Sequence, residues 1–177
     1  LDASASMLDK TIVNVIRRRN LPDDQKLQSK KWQRAIATVD WILANLPKES
    51  YFQLALFNEQ AKPVIAGTES SWLRATERAD TDGALEALRK EIPQGGTSLH
   101  HAFNLASGME PLPDNIFLIV DSLPTMGLEE PKRTVIDSRE RVELFTESIE
   151  LLPFESPVNV ILFPMEGDPI STPSYWR

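Results

Sequence analysis

The chain has 177 residues, the length of one domain, and its 19 lysines and arginines against 26 aspartates and glutamates give a net charge of −7. This charge disfavours nucleic acid backbones and anionic membranes as partners, because both attract concentrated positive charge. The lack of cysteine excludes disulfides and thiolate metal sites. The longest apolar run, Ile116–Val120, is too short to insert into a membrane, which takes roughly 20 residues, so we expect one monomeric globular domain.

Two helices are predicted in the first quarter of the chain. The first carries an apolar stripe at helical spacing, formed by Leu8, Ile12, Val15 and Ile16. Turn-forming residues 20–24 end it, and a second stripe runs from Trp32 to Leu46, where Pro47 stops it. Trp41 follows Trp32 by nine residues, and we expect both on roughly the same side of this helix, with Trp32 packed in the core.

Strands and helices then alternate to the end of the chain. The predicted strands are 51–57, an edge strand at 63–66, a strand at 115–120 covered on both faces, and a buried strand at 158–163. Helices are expected after caps at Asp82 and Ser98, along the stripe from Val142 to Leu152, and as a beginning helix at 171–177. This alternation predicts an α/β fold with a mostly parallel sheet.

Both ends of the sequence look incomplete for such a fold. Asp2 stands where a strand should finish, yet only Leu1 precedes it, and the last helix has barely begun at Arg177. We therefore expect residues 1–177 to be a single domain that lacks its first strand and part of its last helix or strand. A central strand upstream of Asp2 would be needed to close the core.

Two carboxylates, Asp2 and Asp121, are expected at the carboxyl ends of strands, where open parallel sheets bind ligands, and three hydroxyls are candidates to join them. Asp2, Ser4 and Ser6 form an Asp-x-Ser-x-Ser segment that enters a helix, Thr97 follows two glycines ahead of another helix, and Asp121 follows the strand at 115–120. Carboxylate and hydroxyl oxygens suit Mg²⁺, Mn²⁺ or Ca²⁺. The alternative is that the first three cap a helix and that Asp121 is a turn residue.

These three sequence elements, with Asp121 in the segment Ile119–Thr125, resemble the metal-ion-dependent adhesion site of von Willebrand factor A domains. The similarity extends over essentially the whole chain. It implies a three-layer, doubly wound, Rossmann-like fold with a mostly parallel central sheet flanked by helices. It also implies that Ser4 and Ser6 coordinate the ion directly, that Asp2 and Asp121 bind it partly through water, and that Thr97 joins when a ligand is bound.

The function implied by the resemblance is a non-enzymatic protein-binding module, in which a bound Mg²⁺, or else Mn²⁺ or Ca²⁺, coordinates a Glu or Asp side chain of a partner protein. Two features depart from the family: Ser122 replaces the usual glycine, and the break at 20–25 lengthens the first crossover. The Trp-rich helix and the segment 163–169 resemble a bacterial branch that is often membrane-tethered. For such a protein we expect a periplasmic or other extracytoplasmic location.

Two alternatives keep the ion but change its role. One is a metal-dependent phosphoesterase-type hydrolase, in which the ion activates water or holds a phosphoryl group. Its support is thin, because Ser4 stands where a phosphoaspartate enzyme would have a second carboxylate, and the sequence has neither a nucleophile elbow nor a phosphate-binding loop motif. The other is a domain in which the ion only ties loops together.

Overall fold

Helices and strands alternate in the computed structural model, which describes residues 1–129, 136–153 and 156–176. A short 3-10 helix at Ala5–Leu8 precedes the first α-helix. The α-helices are α1 Ile12–Arg19, α2 Asp23–Leu27, α3 Lys30–Ala44, α4 Arg78–Leu88, α5 Leu99–Ser107, α6 Ser138–Ile149 and α7 Ser171–Tyr175. The strands are β1 Tyr51–Phe52, β2 Ala55–Phe57, β3 Ala61–Pro63, β4 Leu73–Arg74, β5 Ile116–Val120 and β6 Val158–Leu162. The mixed α/β class is thereby confirmed.

The strands pair two by two. β5 and β6 are parallel, with Ile116 opposite Val158, whereas β2 with β3 and β1 with β4 are antiparallel. None of the helices in the described ranges is long and apolar enough to cross a membrane. The three-layer arrangement with a mostly parallel central sheet stays a prediction.

The first three residues lie between β2 and β5 and hydrogen-bond to both. Asp2 N donates to Ile119 O at 2.8 Å, and Ala3 N donates to Phe57 O at 2.7 Å. Phe57 N in turn donates to Leu1 O at 3.1 Å, and Asp2 pairs with Phe57 in a parallel bridge. Asp2 is therefore held between two strands, and the chain leaves them in the direction of the Asp-x-Ser-x-Ser segment.

An apolar groove of about 700 Å³ lies beside Leu1, lined by side chains of α3, β1, α5 and β5 that include Phe52 and Phe103. Leu1 N donates to Ala55 O at 2.9 Å. The strand expected upstream of Asp2 stays a prediction, and Arg177 lies outside the described residues.

The predicted apolar stripe in the first helix is wrong. Leu8 belongs to the 3-10 helix and is buried, and residues 9–11 separate it from α1. Within α1, Val15 is buried, but Ile12 and Ile16 are 60% and 54% exposed. The spacing was helical, but the chain between Leu8 and Ile12 is not, so the four side chains do not share a face.

The two tryptophans of α3 lie on opposite sides of the helix, contrary to the prediction. Trp32 is fully buried, as expected, whereas Trp41 is 66% exposed. Nine residues at about 100° each amount to two and a half turns, which places the second side chain opposite the first.

The predicted strand at 51–57 is divided between two pairs, because β1 bonds to β4 and β2 bonds to β3. Asp82 does not cap a helix: α4 begins earlier, after Glu77, and Asp82 lies inside it. In β5, Phe117 is 42% exposed, and β6 is half-buried rather than buried, so neither strand is fully covered.

Ser98 caps α5, as predicted. Its hydroxyl accepts a hydrogen bond from His101 N at 3.4 Å, and the helix ends before Gly108. The same hydroxyl donates to Gly127 O at 2.7 Å, so it also holds α5 to the loop after β5.

The Ser98→Ala substitution should lower the free energy of unfolding by about 1–2 kcal/mol, because it removes both a helix cap and a buried tether. Urea denaturation measures the effect. Ser29→Ala is the matched control, since Ser29 precedes α3, is fully buried, and has a hydroxyl without a partner among the described residues. The control should be neutral or slightly stabilising, and equal losses in both variants would contradict the role of the cap and tether.

Candidate metal-ion site

Four of the five predicted ligands form one hydrogen-bonded group. Ser4 N donates to Asp2 Oδ1 at 2.8 Å, and the hydroxyls of Ser4 and Ser6 lie 2.8 Å apart. The Ser6 hydroxyl donates to Asp121 Oδ1 at 3.0 Å, which links the Asp-x-Ser-x-Ser segment to the end of β5. Asp2, Ser4 and Asp121 are buried, so the group lies in the interior of the protein and is not a set of exposed loop residues.

Thr97, the fifth predicted ligand, lies in a loop fastened to both of these segments. Its N–H donates to Thr125 Oγ1 at 3.0 Å, and its carbonyl accepts from the N–H groups of Thr125 and Met126. On the other side, Ala5 N donates to Gly95 O at 3.1 Å. Gly95 has φ +75°, a backbone conformation that favours glycine. Among the described residues, no hydrogen bond joins the Thr97 hydroxyl to the other four side chains.

The carboxylate of Asp2 is destabilised in its charged form by its surroundings. Burial, together with the nearby charge of Asp121, raises the pKa of Asp2 to about 7, although hydrogen bonds from Ser4 act in the other direction. Asp2 Oδ2 is buried and has no hydrogen-bond partner among the described residues. A buried, unpaired carboxylate oxygen is costly, and a cation held beside it would remove that cost.

The donor set fits a small hard cation such as Mg²⁺, because it consists of carboxylate and hydroxyl oxygens. The described residues contain no group of three or more His, Cys, Asp or Glu side chains placed to hold a metal. The predicted ligands include only two carboxylates, Asp2 and Asp121, and the others are hydroxyls. Their role as ligands stays a prediction.

Lys31 is a residue of the site that sequence reasoning missed. Its Nζ donates to Asp121 Oδ2 at 2.7 Å and to the carbonyl oxygens of Ser6 and Asp9 at 3.2 Å each. It also lies 3.1 Å from the sulfur of Met165. The one signal in the sequence is a lysine beside a buried tryptophan at the start of α3, a pattern that also fits an ordinary solvated helix start.

A second, partly buried network holds the loop that follows Asp121. Leu123 N donates to Ser171 Oγ at 2.8 Å, and Leu123 O accepts from Arg141 Nη2 at 3.0 Å. Asp168 Oδ2 closes the ring by accepting from Arg141 Nη2 at 3.0 Å and from Ser171 Oγ at 2.7 Å. Although burial acts to raise it, the pKa of Asp168 is held below its ordinary value by Ser171 and Arg141. We call these four residues the Leu123 clamp.

Comparison with known proteins supports the fold. No protein-family model matches the sequence, and no curated protein matches it. A solved structure, the von Willebrand factor type A protein from Catenulispora acidiphila, is similar with a TM-score of 0.62 and 17% sequence identity. The likeness covers 91% of this chain and 31% of that one, so the chain spans about a third of the length of that protein.

This likeness confirms the von Willebrand factor A fold that the sequence motifs predicted. At 17% identity it shows the fold alone. The adhesion site, its ion and a membrane tether stay predictions.

Proposed function

We propose that this chain is a non-enzymatic protein-binding module whose partner contact depends on a divalent ion, with Mg²⁺ first and Mn²⁺ or Ca²⁺ as substitutes. The observation that carries the proposal is the buried group in which Ser4 and Ser6 link Asp2 to Asp121, with Asp2 Oδ2 left unpaired. A partner protein that presents a Glu or Asp side chain completes the contact.

The residues of the site have distinct tasks in this proposal. Ser4 and Ser6 supply neutral oxygens, and Asp2 and Asp121 supply the negative charge that attracts a cation. Thr97 supplies a further hydroxyl when an acidic ligand is bound. The ion, when present, offers a fixed positive charge to the carboxylate of the partner, and the shaped surface around it gives specificity.

The complete domain, in our proposal, has three layers with a mostly parallel central sheet. The hydrogen bonds of residues 1–3 to β2 and β5 support this, because they place an extended segment between these two strands, and this segment runs parallel to β2.

Titration with MnCl₂ and sodium acetate tests the proposal, acetate serving as the simplest carboxylate ligand. Mn²⁺ should raise the melting temperature through binding to the folded state, and EDTA should reverse the rise. Thr97→Val should weaken acetate binding to the Mn²⁺-loaded protein at least about fivefold while changing Mn²⁺ affinity much less, because one hydroxyl contact is worth about 1 kcal/mol.

Thr146→Val is the matched control, since Thr146 lies exposed on α6 and its hydroxyl bonds only to the carbonyl of the preceding turn among the described contacts. It should behave as the parent does. A melting temperature that does not respond to Mn²⁺, or acetate binding that survives EDTA, would contradict the proposal.

A further inference from the structure

We propose that the ammonium group of Lys31 is a built-in counter-charge, which weakens the binding of divalent ions to the site and keeps the ion-loaded site attractive to an acidic ligand. This inference rests on the proposed function, because it concerns the same site. It assigns a role to a residue that is absent from the predicted ligand set.

The position of Lys31 is fixed by its surroundings. The side chain is 8% exposed, and its three N–H groups have three oxygen partners: Asp121 Oδ2, Ser6 O and Asp9 O. These oxygens belong to the Asp-x-Ser-x-Ser segment, its continuation and the end of β5. A lysine satisfied on three sides does not leave its place as an exposed lysine does.

Lys31 approaches Asp121 from a different side than the candidate ligands do. The ammonium bonds to Oδ2, whereas the Ser6 hydroxyl bonds to Oδ1. At Ser6 the ammonium contacts the backbone carbonyl and not the hydroxyl. Lys31 therefore leaves the unpaired Asp2 Oδ2 and the serine hydroxyls available, and its influence on a cation is through charge and not through occupation of the same place.

The charge balance gives this influence its direction. Asp2 and Asp121 contribute −2 and Lys31 contributes +1, while the neighbouring Asp9 carboxylate is already paired with Arg18 at 2.9 Å. With both carboxylates ionised, a divalent ion changes the net charge of the site from −1 to +1. Without the ammonium charge it would go from −2 to 0. Buried charges are weakly screened, so Lys31 opposes the ion and favours an anionic ligand.

Mn²⁺ affinity, measured by calorimetry on three variants, tests the inference. Lys31→Gln keeps an N–H donor and removes the charge, and it should bind Mn²⁺ at least tenfold more tightly than the parent. Its loaded form should bind acetate several-fold more weakly. Lys31→Arg keeps the charge and should stay close to the parent. Lys62→Gln, which removes an exposed lysine paired with Glu91, is the matched control and should change nothing.

A purely structural role for Lys31 predicts the opposite sign, because a loosened site loses affinity for Mn²⁺. Unchanged or weaker Mn²⁺ binding by Lys31→Gln therefore overturns the inference while leaving the proposed function intact. If Mn²⁺ binds Lys31→Gln but not the parent, the inference stands and the proposed function fails for this chain. If no variant binds Mn²⁺, both fail. Circular dichroism verifies folding, and a fourth variant, Lys31→Met, which fills similar space without charge, carries the same expectation as Lys31→Gln.

Discussion

The Asp2→Asn substitution is expected to abolish divalent-ion binding and, at the same time, to stabilise the ion-free protein at pH 8 by about 2–4 kcal/mol. Asp2 is fully buried, one of its oxygens has no partner, and its charge is repelled by Asp121. Asparagine keeps the oxygen that accepts from Ser4 N and removes the charge. Asp2, the residue that the proposed function needs most, therefore lowers the stability of the ion-free protein.

The pH dependence of this stabilisation identifies the buried charge of Asp2 as its cause. The pKa of Asp2 is about 7 in the folded protein and near its ordinary value of 3.8 when unfolded. Its contribution to stability is therefore fully present below about pH 4 and is lost as the pH rises through 7. The advantage of Asp2→Asn should be small at pH 4 and complete at pH 8. Urea denaturation in EDTA at the two values measures it.

Asp40→Asn is the control, because Asp40 is half-exposed and lies 3.6 Å from Arg89 on the surface. The unfolding free energy of this variant should differ little from the parent at either pH. In Mn²⁺ the unfolding free energy of the parent should rise relative to that of Asp2→Asn, because only the parent gains binding energy. An Asp2→Asn protein that is less stable than the parent at both pH values, or that still binds Mn²⁺, would contradict the electrostatic interpretation.

The grouping of Asp2, Ser4, Ser6 and Asp121 was predictable because short-range signals place each of them. An apolar run followed by Asp121 predicts a strand end, and hydroxyls two residues apart after Asp2 predict side chains aimed at one point. The contacts between Ser4, Ser6 and Asp121 follow from that logic. Ser98 was predictable for the same reason, since a helix cap is decided within one turn of the chain.

Lys31 was not predictable because its role depends on contacts far away in the sequence. Nothing near position 31 indicates that its ammonium meets Asp121, 90 residues later. The prediction of one apolar stripe from Leu8 to Ile16 was wrong for a related reason, because spacing alone does not reveal that residues 9–11 interrupt the helix. A two-residue strand such as β4 carries too little pattern to be recognised, and it exists because β1 pairs with it.

The Leu123 clamp leads to the second large effect. Arg141→Met should lower the free energy of unfolding by about 2–3 kcal/mol at pH 7, because it leaves the Asp168 carboxylate largely buried without its cation and frees Leu123 O from a donor. Arg139→Met on the same helix is the control: Arg139 is 88% exposed, and its pair with Glu143 should contribute less than about 0.5 kcal/mol.

Acid should erase this difference. The pKa of Asp168 is lowered in the folded protein, so the stability that the carboxylate contributes is present above its ordinary value near 4 and is lost as the pH falls through its folded value. The gap between parent and Arg141→Met should therefore shrink in urea denaturation below about pH 4, and the double variant Arg141→Met/Asp168→Asn should recover part of it at pH 7. A gap that is independent of pH would assign the loss to packing of the arginine stem. A double variant that shows no pH dependence and is more stable than Arg141→Met alone would place the coupling between Arg141 and Asp168, and hence between α6 and the loop after Asp121, in the ion pair itself.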